Sequence, residues 1–409
     1  MSDLALGSSA AASVRQTNLA AIARFAWDAT AFTASEAMAA VGLTRSTTIA
    51  VIDELVEDGI LRELANAREA GHYRKGRPAR RFELRADAAA IVGVDAGRAH
   101  ITAIVADLRG EDIVRTHVEL DVTHDSWAER REALAAAIDD ALEQAGLGRS
   151  DVAAVCIGVP APVDAEGASP AHPDEFWKRM NPDLAELISQ WAPIVHVEND
   201  ASLAAVAEGA WGAAVGCTDY VSLLAGARLG AGVVIDGRLL RGAHGGAGEM
   251  VFLDDIPTVG GAWGLGYRAA EWAREAIESG DVAANSGLLS VPLELLDAPT
   301  VLALAREGDA DARRIVDRVA LALATIVGIF GSLFDVSLVI VSGAISEGAD
   351  IVLDATRAVS PTHLDLPVPR LVASHLGADV VAIGAVARAR DAVRADIPAL
   401  TRAAANAHR

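Results

Sequence analysis

The pattern of hydrophobic and polar positions changes character at Ala90, and the chain divides there. Upstream the spacing is helical. Leu19, Ile22, Ala23 and Ala26 share one face of a segment running from Asn18 to Asp28. Residues 1–12, small and polar, predict a disordered tail. Thr33-Ala-Ser-Glu36 is a capping-box pattern that opens a short helix to Val41, and Gly42 breaks it. Thr44 caps a third helix whose predicted buried stripe is Ile49, Ile52, Leu55 and Val56. Helix, short helix, glycine turn, helix is the helix-turn-helix order. An extended segment follows Gly59-Ile60-Leu61, and Arg81-Phe82-Glu83-Leu84 alternates as a strand. Two such strands around a basic Lys75-Gly76-Arg77-Pro78 tip make a wing.

Downstream, apolar runs of strand length alternate with helical stripes. Ile91 to Gly97, His100 to Asp107, Ile113 to Val122, Val152 to Val159 and Ile194 to Val197 read as strands. Trp127 to Ala145, Ala201 to Trp211, Trp263 to Ser279 and Asp309 to Phe334 read as helices. Leu338 to Gly343 is a strand turning into a helix, and Arg370 to Ser374 with Asp379 to Val393 supply a last strand and helix. The alternation predicts an α/β body. An internal echo points to duplication. Gly97 precedes Asp107 by ten residues on the pattern strand, turn, strand, Asp, and Gly226 precedes Asp236 by the same ten. Two such hairpins would face each other across a cleft, with Glu198-Asn199-Asp200 between them where a strand gives way to a helix.

The stretch from Leu224 to Glu249 carries eight glycines in 26 residues, yet includes Val233-Val234-Ile235. It predicts strand, glycine turn, strand and a second glycine loop. Glycines at such a turn let backbone N–H groups close on a bound group such as phosphate, but Arg228 stands inside the turn.

Charge sharpens this division. The formal net charge is −21, which argues against uniform nucleic-acid or membrane affinity. Residues 1–85 carry 11 Lys/Arg against 10 Asp/Glu, whereas the remainder carries 24 against 46. The tract Arg68 to Arg85 alone holds seven Arg/Lys and two Glu. A small, polar first turn on the third helix suits base edges in a major groove, and a basic wing suits phosphates or a minor groove. Thr44, Arg45, Ser46, Thr47, Thr48, Lys75 and Arg77 are therefore the expected DNA-binding residues. A dimerisation or adaptor module is the plainer reading of the same unit. Cys156 and Cys217 form neither a disulfide framework nor a zinc spacing. No signal peptide is visible, and the uncharged run Val319 to Phe334 is short for a membrane span, so a cytoplasmic location with no membrane partner is expected.

In order along the chain, Arg15-Gln-Thr-Asn18, Gly42-Leu-Thr-Arg-Ser-Thr-Thr48, Gly76-Arg-Pro-Ala79, Ile157-Gly-Val-Pro-Ala-Pro-Val-Asp164, Glu198-Asn-Asp-Ala201, Gly245-Gly-Ala-Gly-Glu249, Val341-Ser-Gly343 and Gly377 to Gly384 resemble the motifs of ROK-family transcriptional regulators. That group joins sugar-responsive repressors to sugar kinases. The resemblance implies a winged helix-turn-helix over 13–86, followed by a two-lobed, actin-like, sugar-kinase-like body over 90–409. Its lobes would be approximately 90–200 plus 375–409, and 201–374. It also implies ligand contacts from Asn199, Asp200 and Glu249, a double-stranded operator, and a homodimer or dimer of dimers.

The departures from the family pattern carry equal weight. Family kinases have a glycine-threonine pattern after the first-strand Asp, whereas Asp95-Ala-Gly97 is followed here by Arg98-Ala99-His100. Their Gly-Thr-Gly in the second hairpin is Gly226-Ala227-Arg228 here. These changes predict no ATP-dependent phosphoryl transfer and no catalytic residue, with Asp200 as a ligand contact or a helix N-cap rather than a general base. The family's zinc-binding histidine falls at Phe252 and no cysteine follows, so no zinc is expected. Trp177, Asn181 and Trp263 are candidates to line the cleft, against the plainer reading that the tryptophans are core. The sequence thus predicts a repressor governed by a sugar or a less polar small molecule. The alternatives are a sugar kinase fused to a regulator and an effector-blind DNA-binding protein.

Overall fold

The computed structural model describes residues 3–65, 79–122, 126–343, 348–360 and 367–400, with side chains from Ser13 onward. The first helix, α1, runs from Asp3 to Asp28. Residues 3–12, expected to be disordered, instead continue it, because six alanines and leucines among them are strong helix formers. A two-residue strand β1 (Phe32–Thr33) leads into α2 (Ala34–Val41), where Thr33 and Glu36 form the full capping box. Gly42 ends α2 with φ 71°, and Thr44 caps α3 (Arg45–Glu57). Strands β2 (Leu61–Leu64) and β3 (Arg81–Leu84) pair antiparallel, and β1 adds to the other edge of β3. The wing tip, with Lys75 and Arg77, lies outside the described residues.

The buried face of α3 differs by one position from the expected stripe. Thr48, Val51, Ile52 and Leu55 are buried, whereas Ile49 is exposed. The helix is turned so that its i, i+3, i+4, i+7 line starts at Thr48, whose hydroxyl bonds back to the Thr44 carbonyl at 2.9 Å.

The body repeats one topology. Its first sheet contains β4 (Ala90–Ala96), β5 (His100–Ala106), β6 (Asp112–Glu119), β7 (Val152–Val159) and β8 (Ile194–Asn199), in the order β6-β5-β4-β7-β8. Helix α4 (Trp127–Gln144) connects β6 to β7, and α5 (Phe176–Met180) and α6 (Leu184–Ser189) precede β8. After α7 (Asp200–Trp211) comes the second sheet. It contains β9 (Tyr220–Ala225), β10 (Leu229–Ile235), β11 (Arg238–Leu239), β12 (Leu338–Ser342) and β13 (Arg370–Ala373), in the order β11-β10-β9-β12-β13. In each sheet the first strand pairs antiparallel with the second and parallel with the fourth. The echo between the Gly97 and Gly226 hairpins is therefore a repeat of fold.

Helices α8 (Leu265–Glu278), α9 (Ala298–Glu307), α10 (Ala310–Phe334) and α11 (Asp350–Val359) cover the outer face of the second sheet around Val221, Leu223, Val339 and Val341. Helix α10 is long and apolar enough to cross a bilayer, yet 61% of its apolar window is buried in this core. The last described helix, α12 (Val380–Ala395), returns to the first sheet. It packs on β4 and β7, α7 packs on β9 and β10, and the two helices pack on each other. Their contact is backbone-close. A Cβ on Gly384 would lie 1.9 Å from the Leu203 carbonyl oxygen.

Head and body are not joined by a linker. One continuous core holds Ile22, Ala23, Ala26 and Trp27 of α1 together with Leu108, Val393, Ile397 and Leu400. Polar ties reinforce it. Arg109 donates to the Trp27 and Ala29 carbonyls, and the Leu108 N–H donates to the Ala86 carbonyl at 3.0 Å.

Candidate functional site

The expected reading face of the head is the N-terminal turn of α3. Thr44 accepts from the Thr47 N–H at 3.3 Å, and its hydroxyl meets those of Ser46 (3.2 Å) and Thr47 (2.9 Å). Arg45 and Ser46 are exposed. Thr48 is corrected by the structure. It is fully buried among Val51, Ile52 and Leu55 and presents nothing to a partner. The acidic end of the same helix is balanced by neighbours, since Arg15 pairs with Glu54 at 2.7 Å and Arg80 with Asp53 at 2.9 Å.

The cleft is built where strands end. Asn199 closes β8 and caps α7, accepting the Ser202 N–H at 3.0 Å. The cap expected as one role of Asp200 therefore belongs to Asn199. Its Nδ2 donates to the Ala161 carbonyl (3.2 Å) and to Asp200 (3.1 Å). Asp200 also accepts the Ala201 N–H at 2.7 Å. Burial pushes the Asp200 carboxyl up to about 7, with Asp95 and then Glu249 adding repulsion. Glu249 is itself raised by loss of water around it, while nearby Arg228 pulls the other way. Asp95, Asp200 and Glu249 thus form one interacting set drawn from β4, α7 and the second glycine loop.

The first of the two phosphate-type hairpins is occupied by a side chain of the chain itself, whereas the turn of the second is exposed. In the first, the His100 ring folds over Gly97. A Cβ there would lie 2.6 Å from His100 Cε1. His100 Nε2 meets Asp95 Oδ2 at 3.1 Å, and that hydrogen bond raises the imidazole against the opposing effect of burial. The ring stacks on His117 at 5.4 Å, and His117 contacts Thr102 (2.9 Å) and Glu119 (3.1 Å). In the second hairpin, Arg228 pairs through its backbone with Trp263, and its guanidinium lies 5.1 Å from that ring. The Leu229 N–H donates to the Ala262 carbonyl at 2.9 Å and the Gly264 N–H to the Ala227 carbonyl at 3.0 Å, so residues 262–264 lie along the turn. Trp263 also stacks on Tyr267 at 4.7 Å, is 41% exposed, and is not a core residue.

The remaining candidates have other surroundings. Asn181 is buried and donates to the Gly167 carbonyl (3.0 Å) and Ser169 (3.1 Å) of the loop after β7. Trp177 is half-buried against His172. Phe252, standing where a zinc ligand would fall, is 84% exposed.

Sequence reasoning overlooked two features. Arg130 of α4 is buried and donates to the Ala96, Gly97 and Met180 carbonyls, fixing the first hairpin from behind. Glu198 is buried between Arg241 (2.7 Å) and Arg388 (3.1 Å), which hold its carboxyl below the usual range although burial works to raise it. An acid next to Asn199-Asp200 was visible in the sequence, but its partners lie 43 and 190 residues away.

The family model described as "ROK family" matches residues 91–392. The chain belongs to the ROK family. Its body therefore has the actin-like, sugar-kinase-like fold of that family. Among ROK relatives, a xylose repressor of Caldicellulosiruptor bescii is 26% identical, over 78% of this chain and 81% of its own length. A glucokinase of Streptomyces coelicolor is 28% identical over 73% of this chain and 97% of its own. A crystal structure of a ROK transcriptional regulator, a homologue of the Escherichia coli MLC protein, covers 96% of this chain and 99% of its own. Its TM-score is 0.75 at 21% identity, so the shared fold extends through the head. A ROK glucokinase from Streptomyces griseus, solved with glucose and AMPPNP, covers 74% of this chain and 99% of its own, with a TM-score of 0.60 at 29% identity.

Proposed function

We propose that this ROK protein is a sugar-responsive, DNA-binding transcriptional repressor of the cytoplasm, whose kinase-like body senses its ligand without phosphorylating it. The observation that carries the reading is an asymmetry within one cleft. The sugar side would use Asn199, Asp200 and Glu249, whereas His100 fills the first hairpin that would receive phosphate and an exposed Arg228 beside Trp263 replaces a glycine of the second. Neither zinc nor a nucleotide belongs to the proposal. Likeness to the xylose repressor and to the MLC homologue supports the regulatory role, and the exposed first turn of α3 supplies the reading surface. The chain would bind paired half-sites as a homodimer or a dimer of dimers.

One observation favours a second reading. An Asp200 carboxyl near 7 is poised for general-base work on a sugar hydroxyl, as a kinase requires. A single set of measurements separates the two. Duplexes selected from a random pool by the full-length chain should be released by xylose, glucose or another sugar, and the same preparation should not consume ATP. Sugar-dependent ATP turnover would replace the sensor with a kinase.

A further inference from the structure

The carboxylate that braces the cleft also holds the helix on which the DNA-binding head is seated. Glu198 stands immediately before Asn199-Asp200 at the end of β8 and is 6% exposed. It accepts from Arg241 Nη2 at 2.7 Å and Nε at 3.2 Å, and from Arg388 Nε at 3.1 Å. The two arginines come from opposite sides of the cleft. Arg241 begins the glycine loop that ends at Glu249, and its carbonyl accepts the Ala247 N–H at 3.1 Å. Arg388 lies in the middle of α12, with His196 Nδ1 at 3.4 Å from its Nη2.

Six residues further along α12, roughly 9 Å at helical rise, the helix meets the head. Arg24 of α1 donates to the Arg394 carbonyl at 3.4 Å and to the Ala395 carbonyl at 2.9 Å, satisfying two free C-terminal oxygens of α12. Arg394 pairs with Asp28, the last residue of α1, at 2.5 Å. Val393 and Ile397 are fully buried with Ile22, Ala23 and Ala26 of α1. A helix gripped this way cannot shift at Arg388 without carrying α1 along.

We propose that Glu198 is a positioning residue that couples the ligand loop, residues 241–249, to helix α1 of the head, with α12 as the rigid element between them. This rests on the sensor reading given above for the meaning of the signal, but the coupling itself is a property of the chain alone. When the loop closes on or opens from a ligand, Arg241 moves relative to Glu198. A buried carboxylate cannot be left half-paired, so its hold on Arg388 changes with it. Coupling between two sites is reciprocal, and a disturbance at either end must reach the other.

Amide hydrogen exchange on the full-length chain tests this with neither DNA nor ligand present. Arg394→Gln loosens the head end and should speed exchange within residues 241–249 by on the order of fivefold or more. Glu198→Gln should speed exchange in residues 19–28 by a similar factor. Arg149→Gln, which breaks the exposed pair with Asp139, should leave both segments unchanged. Should Glu198→Gln fail to fold, Arg388→Lys keeps the charge, loses the guanidinium geometry, and should show the same remote effect in weaker form. Changes confined to the neighbourhood of each substitution would overturn the coupling. Adding xylose or glucose to the unsubstituted chain tests the sensor reading separately, because propagation between the variants depends on neither sugar.

Discussion

Replacing Asp200 with asparagine keeps the shape of the side chain and removes its charge. The oxygen that accepts the Ala201 N–H at 2.7 Å is retained. What disappears is a carboxylate forced to ionise beside Asp95 and Glu249 in a poorly hydrated cleft. Its ordinary value of 3.8 is pushed up to about 7, a gap worth ~4 kcal/mol when converted at the standard rate. Asp200 as a residue is partly exposed, and solvent screening reduces the figure to ~1–3 kcal/mol. The sign follows from the raised value. In the unsubstituted chain the protonated carboxyl stabilises the fold at pH below its unfolded value, and that contribution is lost as pH rises toward 7. Asparagine never ionises, so Asp200→Asn should be the more stable form at pH 8 by that amount. Its advantage should be much smaller at pH 5. Thermal melts of both chains at the two pH values read this directly, with an expected rise of a few degrees at pH 8. A margin equal at both pH values, or a less stable asparagine variant at pH 8, would refute the electrostatic account of the cleft.

Other consequences are simpler to measure. Gly384→Ala drives a methyl into the Leu203 carbonyl and should cost at least ~3 kcal/mol of stability, seen as a lower urea midpoint. Unchanged stability would mean that α7 and α12 separate easily. Arg45→Ala should weaken binding to a selected duplex and lower the slope of log affinity against log salt by about one, if Arg45 meets a phosphate. No change in affinity or slope would remove Arg45 from the reading face.

Much of the architecture was legible because local rules wrote it. The capping box at Thr33 and Glu36, the break at Gly42 and the cap at Thr44 each formed where side-chain chemistry placed them. The duplicated hairpins were visible because a turn glycine and a strand-end aspartate recur at one spacing. What stayed hidden depended on distant partners. Thr48 looks polar in sequence, yet one turn of α3 sends it inward with its hydroxyl satisfied by Thr44. His100 looked only like a lost threonine pattern. That it fills the space over Gly97 depends on Asp95 drawing the ring back. Glu198, Arg241 and Arg388 are far apart in sequence, and no periodicity brings them together. Trp263 could not be assigned from sequence either, because its exposure depends on how residues 262–264 lie along the hairpin.

The shared core beneath α1 also bears on how such a protein can be rearranged by evolution or by an engineer. Reading heads are often treated as cassettes, exchangeable at the boundary between domains. Here the boundary runs through a packed interior in which Ile22 and Trp27 lie with Leu108, Val393 and Leu400. Cutting at residue 86 would leave an apolar face uncovered on both pieces. A transplanted head would need matching residues from the β5–β6 turn and from the end of α12, which are separated by most of the chain. The specificity of the head and the identity of the body are therefore expected to change together, and hybrids made by simple fusion should aggregate unless both surfaces are carried across.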